Sequence, residues 1–419
     1  QTPWLPPDPT LAVGPADVLV GVNTDLVGYS KSGVQNFRWV NMTTLFNPVL
    51  PAGATIFDPV LAFDHYEQRW IVVIAARQQS PKGSWLLLGV SQGTDPRGPY
   101  WIWRLDATLN GSQPSDNWAD YPMLGFDTQC IYISCNMFQF DGFFQYGKLR
   151  ILHKPELYAG GSVRWYDWWN FNNPDGSPAF TIQPAAHFRG RGGNPSAYLV
   201  NSLWPDGDSL TFWTLKNPAA HWRGGSSTWQ KDHVPCFSYE FPPDAQQPGT
   251  SVRIETNDTR LLNAVYQFTG GTKRLWTTLT SRFMWASDSE ARTVAQWYEI
   301  DVGTKSVVQQ NRYGVSGKYL YFPAIQTDIH RNAYLVFTRS GDTEFAQARY
   351  TGRRVSAPAG DMENSRRIKD GESSYTGGRW GDYLGICRDG GDNARVWMFA
   401  EYAGSGNTWA TWVACASYS

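Results

Sequence analysis

The chain reads as an all-β protein, a seven-bladed β-propeller forming a single domain over residues 1–419. Three observations predict this. Glycine at 40 and proline at 26, with 15% aromatic residues, describe many short strands joined by turns. Alanine- and glutamate-rich helical stretches are missing. One pattern also recurs, a strand, a tight turn and a second strand, clearest in Asp120-Tyr121-Pro122-Met123-Leu124-Gly125-Phe126-Asp127 followed by Cys130-Ile131-Tyr132-Ile133-Ser134-Cys135-Asn136.

Copies occur at residues 8–14 leading into 18–23, 58–64 into 70–74, 184–188 into 198–201, 322–326 into 333–337 and 382–386 into 396–399, with a degenerate copy at 262–266 into 274–277. Their spacing of roughly 50 to 80 residues is at or above the range in which one repeat makes one blade. The first sheet spans residues 8–46, with strands at 26–29 and 35–40 across the Lys31-Ser32-Gly33 turn. The second spans 57–106, and the third 120–171 with an insertion at 155–161. The fourth, fifth and sixth cover 180–239, 260–314 and 319–367. The seventh, from about 380, has three evident strands. An open outer edge invites aggregation, so residues 2–5 are expected to complete or cover the last blade, although Pro3, Pro6 and Pro7 limit its ladder bonds. Residues 224–231, 242–250 and 360–374 read as polar loops.

Charge is balanced, 36 basic against 37 acidic residues, which gives no electrostatic footprint for nucleic acid. No apolar run approaches the ~20 residues of a membrane helix, so no membrane span is expected. The sequence opens at Gln1-Thr2-Pro3 without a basic and apolar leader, which a removed signal peptide and a trimmed chain explain equally well. With acceptor sequons at Asn41, Asn110 and Asn257, the expectation is a secreted glycoprotein. The five cysteines form no zinc-spaced pair. Cys130 and Cys135 should face opposite sides of one strand, while Cys387 and Cys415, ending parallel strands on either side of a middle one, either bridge or do not.

In a propeller, residues opening the first strand of each sheet and residues ending the second converge on one mouth of the channel. The first set contains Asp8, Asp58, Asp120, Tyr121, Arg379, Trp380 and Asp382, and the second Asn23, Asn136, Asn201, Thr338 and Glu401. Such a rim suits sugars, and its carboxylates suit a hard cation, so calcium is the cofactor to consider. Asp120, Tyr121, Asn136, Asn201, Arg379 and Trp380 are the expected substrate-binding residues. The competing reading of each repeated Asp before Pro is a turn former that bonds its own backbone. His187, Arg189 and Arg191 stand where other copies carry apolar residues; arginine pairs a carboxylate and imidazole removes a proton, the chemistry of a polysaccharide lyase. Asp382 with Glu401 offers the two carboxylates of a glycoside hydrolase, provided their separation is right. A buried structural cluster is the alternative for His187, and core packing for Trp165-Tyr166-Asp167-Trp168-Trp169.

Asp8-Pro9-Thr10-Leu11-Ala12-Val13-Gly14-Pro15, Asp95-Pro96-Arg97-Gly98-Pro99-Tyr100-Trp101, Asp120-Tyr121-Pro122-Met123-Leu124-Gly125 and Arg379-Trp380-Gly381-Asp382-Tyr383 resemble segments of secreted, mostly microbial β-propeller proteins. The resemblance implies architecture and says little of activity, since such rings host lyases, hydrolases and lectins. Thr94-Asp95-Pro96-Arg97-Gly98-Pro99-Tyr100-Trp101 is similar to the Asp-box turn of sialidases, but its spacing departs from that pattern and it does not recur. The expected function is a secreted carbohydrate-active enzyme, lyase or hydrolase, acting on a glycan that includes uronate-containing polysaccharides. The alternative is a non-catalytic lectin or an extracellular interaction or structural protein.

Overall fold

The computed structural model describes residues 5–188 and 196–418 and is all-β apart from short helical turns. The chain divides into two compact units. The first, here the N-terminal unit, comprises Ala12–Asn201 and Thr211–His233; the second, the C-terminal unit, comprises Gln1–Leu11, Ser202–Leu210 and Val234–Ser419. The division falls inside strands Thr10–Val13, Ala197–Ser202, Gly207–Lys216 and Thr228–Tyr239.

The stretches that the sequence marks as sheets fold as antiparallel meanders, except that in the fourth Ala186–Phe188 stands apart from Gln183–Pro184, Ala197–Ser202, Gly207–Lys216 and Thr228–Tyr239 and pairs parallel with Asn117–Phe126 of the third. The first contains Thr10–Val13, Asp17–Val22, Asp25–Ser30 and Gln35–Trp39. Thr55–Asp64, Arg69–Gln78, Gly83–Ser91 and Tyr100–Asp106 follow as the second. The third joins Asn117–Phe126, Cys130–Gln139, Phe144–His153 and Trp165–Trp169, and its insertion is the short helix Lys154–Tyr158. The fifth and sixth run Leu261–Thr269 to Ser306–Tyr313 and Lys318–Thr327 to Arg366–Lys369. Two expected loops contain strand: Thr228–Tyr239 enters the 224–231 stretch, and Arg366–Lys369 lies within 360–374. In both places charged residues on a solvent-facing edge strand hide the alternation that marks a strand.

The last sheet, Gly385–Arg388, Arg395–Gly404 and Thr408–Ser417, has three strands among the described residues. Residues 2–4 of the segment expected to complete it lie outside the described residues. Cys387 and Cys415 oppose Trp397 from either side of the middle strand. Two strand spacings place them ~9.6 Å apart, beyond the ~7 Å limit for a disulfide, so they do not bridge. Cys130 and Cys135 pack into different apolar clusters, as their odd spacing predicts.

Those clusters show how successive sheets stack. One unites Leu19 and Leu26 of the first sheet with Val72 and Leu87 of the second. The next joins Val73 and Leu88 to Ile131 and Ile133 of the third, and in the C-terminal unit Trp276 and Trp297 of the fifth pack on Leu320 and Leu335 of the sixth. Burying an aliphatic or aromatic side chain of this kind contributes ~1.5–3 kcal/mol, which makes these faces the main adhesive within each unit.

The repeated Pro motif is a backbone device. Asp8, Asp58, Tyr121 and Phe322, each followed by proline, have φ of 48°, 52°, 54° and 50°. Register shifts mark a bulge at three of these places, between Phe57 and Val60, Asp120 and Met123, and Tyr321 and Ala324. Proline belongs there because a bulge spares a ladder N–H. The left-handed conformation costs ~1–2 kcal/mol per non-glycine residue, so something must hold it.

Candidate functional site

What holds each bulge in the N-terminal unit is a side chain from another repeat. The Asp58 N–H donates to Asn23 Oδ1 at 3.3 Å, and the Tyr121 N–H to Asp58 Oδ2 at 3.2 Å. The Thr181 N–H (φ 50°) donates to Asn136 Oδ1 at 2.8 Å, while Asn136 Nδ2 donates to Thr181 Oγ1 at 2.7 Å. Asp58 therefore fixes the following repeat. Tyr121 and Asn136 are buried, and Asp120 pairs with Asn136 across the strands. Asn201 is sealed, donating to Asn173 Oδ1 and accepting from Trp213 Nε1. The side-chain amides of Asn136 and Asn201 are thus taken up by the scaffold.

His187, on strand Ala186–Phe188, is 1% exposed and stacks on Tyr198 with ring centroids 5.5 Å apart. Its carbonyl accepts from the Tyr66 hydroxyl at 3.0 Å. Arg189 and Arg191 lie outside the described residues. The expected lyase cluster is thus represented here by a buried histidine.

The C-terminal unit brings Arg379, Trp380, Asp382 and Glu401 together. The Gly381 N–H donates to Glu401 Oε2 at 2.8 Å, and the Asp382 N–H to Asp8 Oδ1 at 2.8 Å. A Cβ on residue 381 would stand 2.8 Å from Glu401 Oε2 and 3.0 Å from Pro9, which is why glycine occupies the position. Arg379 Nη2 donates to both Asp382 oxygens at 3.1 and 3.0 Å, and its Nε lies 3.7 Å from Glu255 Oε2. Trp380 is buried, donates to Thr338 Oγ1 at 3.3 Å and packs edge-on against Tyr375, so its faces offer no platform to a sugar. Glu401 is fully buried and its Oε1 has no hydrogen-bond partner among the described residues. Burial holds its carboxyl well above the usual carboxylate range against the pull of the Gly381 N–H, and the nearby Asp382 charge adds to the rise. Sealed from solvent, Glu401 supports the turn that carries Asp382.

Beside that turn opens a cleft of about 590 Å³. Trp204 and Phe241, 54% and 50% exposed, present their rings to it, flanked by Glu255, Asp258 and Asp244 and by Arg253 and Arg379. Its walls are preorganised. Trp204 Nε1 donates to Asp258 Oδ2 at 3.1 Å, and Arg260 grips Asp258 through two bonds of 2.7 Å. Burial pushes the Asp258 carboxyl up, but Arg260 outweighs it and holds the group below its ordinary value. The Phe241 N–H donates to Asp206 at 2.6 Å, reciprocal bonds join Ala245 and Ile254, and the Glu255 N–H reaches the Gly378 carbonyl at 3.0 Å. Gln247 clamps both backbone groups of Tyr375. Sequence reasoning missed this cleft, although aromatic–proline pairs, Trp204-Pro205 and Phe241-Pro242, standing outside any apolar alternation were the available signal.

Among the described residues no group of three or more His, Cys, Asp and Glu side chains is placed to hold a metal ion, and no helix is long and apolar enough to cross a membrane.

No protein-family profile matches the chain. No curated protein sequence matches it either. Among solved structures it is similar to an α-L-arabinofuranosidase from Fusarium graminearum in complex with an iminosugar inhibitor, at 7% identity and a TM-score of 0.42 over 83% of this chain and 89% of that one. It is similar to the Trypanosoma rangeli sialidase in complex with the inhibitor DANA at 8% identity and a TM-score of 0.43, covering 97% of this chain and just 57% of the sialidase. An exo-1,5-α-L-arabinanase from a bovine ruminal metagenomic library gives 10% identity and a TM-score of 0.34 over 71% of this chain and 94% of that one. Likeness at this level assigns neither family nor activity.

Proposed function

We propose that the protein is a secreted carbohydrate-active enzyme of the glycoside hydrolase type, its sugar seated in the cleft lined by Trp204 and Phe241. The observation that carries this reading is the pairing of two half-exposed rings with adjacent carboxylates in one preorganised concavity. Sugars stack their C–H faces on aromatic rings and place their hydroxyls on carboxylates. Glu255 and Asp382 are the reacting pair in this reading. Both contact the Arg379 guanidinium, which keeps their carboxyl groups within the ~9.5 Å upper limit of glycosidase acid/base pairs. Glu401 and Asp8 are positioning residues that accept the N–H groups of Gly381 and Asp382.

The same reading arranges the stacked sheets as seven blades of one propeller, with the N-terminal segment at the last blade. A radius of gyration near ~22 Å in solution scattering fits one compact body of this length, and a value several ångströms larger counts against it. Rim-bound calcium would show as a fall in melting temperature with chelator.

The decisive experiment measures reducing-end release from a panel of oligosaccharides and aryl glycosides. Glu255→Gln and Asp382→Asn are each expected to lower kcat by at least ~100-fold, while Trp204→Ala raises KM. Binding without turnover assigns the protein to the lectins instead. Absence of both binding and turnover overturns the carbohydrate reading.

A further inference from the structure

The charge arrangement of the cleft selects among sugars. Its lining holds three carboxylates, Asp244, Glu255 and Asp258, against two guanidiniums, Arg253 and Arg379. Recognition of a uronate requires a guanidinium whose fork faces the ligand, because the fork matches a carboxylate bidentately.

Each arginine here already has a carboxylate beside it. Arg379 gives its Nη2 to Asp382 and turns its Nε toward Glu255. Arg253 gives Nη2 to Glu290 at 3.3 Å and Nη1 to the Asp244 carbonyl and the Tyr319 hydroxyl at 3.1 and 3.3 Å. Arg260, behind the wall, is spent on Asp258. Asp244 is exposed and has no cationic partner among the described residues, and Glu255, half-exposed, shares its one arginine with Asp382.

We infer that the cleft takes uncharged glycans and excludes uronates. The inference rests on the carbohydrate reading above. An incoming carboxylate meets uncompensated negative charge and would have to displace Asp382 or Glu290 from its arginine, each exchange leaving a carboxylate without its partner. A neutral hexose or pentose meets no such opposition: its hydroxyls donate to Asp244 and Glu255 while its ring faces lie on Trp204 and Phe241. This replaces the uronate-containing polysaccharide expected from sequence.

The test is calorimetric titration of the full chain with neutral oligosaccharides (gluco-, xylo- and arabino-) and with galacturonate and glucuronate oligomers of equal length. The expected result is binding of at least one neutral series with an affinity that is unchanged between low and high salt, and uronate binding at least ~10-fold weaker that strengthens with salt as repulsion is screened. Asp244→Asn is expected to raise the uronate-to-neutral affinity ratio at least about threefold, the effect of one unit charge at ~6 Å in water. Uronate binding as tight as neutral, or a ratio unmoved by the substitution, overturns the inference while leaving the carbohydrate reading standing. Failure of every series to bind overturns the carbohydrate reading itself.

Discussion

Two arginine–aspartate pairs divide the molecule by purpose. In the N-terminal unit Arg150 and Asp167 face each other across neighbouring strands with side chains 1% and 0% exposed, joined by bonds of 2.9 and 2.8 Å. Asp167 also takes the Gly111 N–H, and Arg150 the Asp106 and Leu109 carbonyls, so the pair is fully satisfied and locks a loop. In the C-terminal unit Arg379 and Asp382 are three residues apart on one turn, 53% and 16% exposed, and Arg379 lines the cleft. The difference teaches that the same residue types serve stability where geometry seals them and remain accessible to a ligand where a turn holds them at the surface.

The units also bury ionisable groups of opposite type. Lys148 lies beside the first pair, donating to the Ala107 and Leu109 carbonyls, and burial lowers it to about 8. Glu401 lies beneath the second pair, and the same cause raises its carboxyl well above the ordinary value, so that burial favours the neutral form of both groups.

The largest effect that would break this contrast is at Asp167. Asp167→Asn leaves Arg150 buried without its counter-charge and is expected to cost ~3–5 kcal/mol in urea unfolding. A cost below ~1 kcal/mol would make the two pairs equivalent.

Next comes Lys148. Between its folded value of about 8 and its ordinary 10.5 the unfolded chain binds more protons, so stability should rise with pH across that window, by up to ~3 kcal/mol. Melting temperatures of Lys148→Met should lack that rise.

Glu401 reverses the sign. Its folded form holds a proton that the unfolded chain releases above the ordinary 4.5, so its contribution is complete at low pH and declines as pH rises. Glu401→Gln should flatten the decline between pH 5 and 7, and an unchanged slope would show that the acid is ionised in the fold.

The smallest stability effect belongs to Asp382. Its exposed pair is worth ~0–1 kcal/mol, so Asp382→Asn should unfold within that margin of the parent while losing turnover. A loss comparable to that of Asp167→Asn would sharpen the comparison in the opposite direction, making both pairs structural.

Strands and their order were legible because alternation is local: Trp70, Val72 and Ile74 join one apolar cluster, while Ile71 and Val73 on the opposite face join another. The rim set was legible in part. Arg379, Asp382 and Glu401 do meet, but Trp380 and Asn201 carry the same residue types as a sugar site and are sealed in the scaffold. Burial of a particular ring depends on what covers it, and residue spacing holds no record of that.

The sequence by itself determined an all-β chain of repeated antiparallel sheets, because strand periodicity, turn residues and the Asp–Pro or aromatic–Pro bulge are each written within a few neighbouring positions. Only the tertiary structure decided the site. Trp204, Phe241, Glu255 and Arg379 lie far apart in the chain and share no motif, and the cleft exists because separate loops are tied to one another by backbone hydrogen bonds such as Glu255 to Gly378. Whether Asp382 is reachable and Glu401 is not follows from the same closure, which sets the solvent each carboxylate retains.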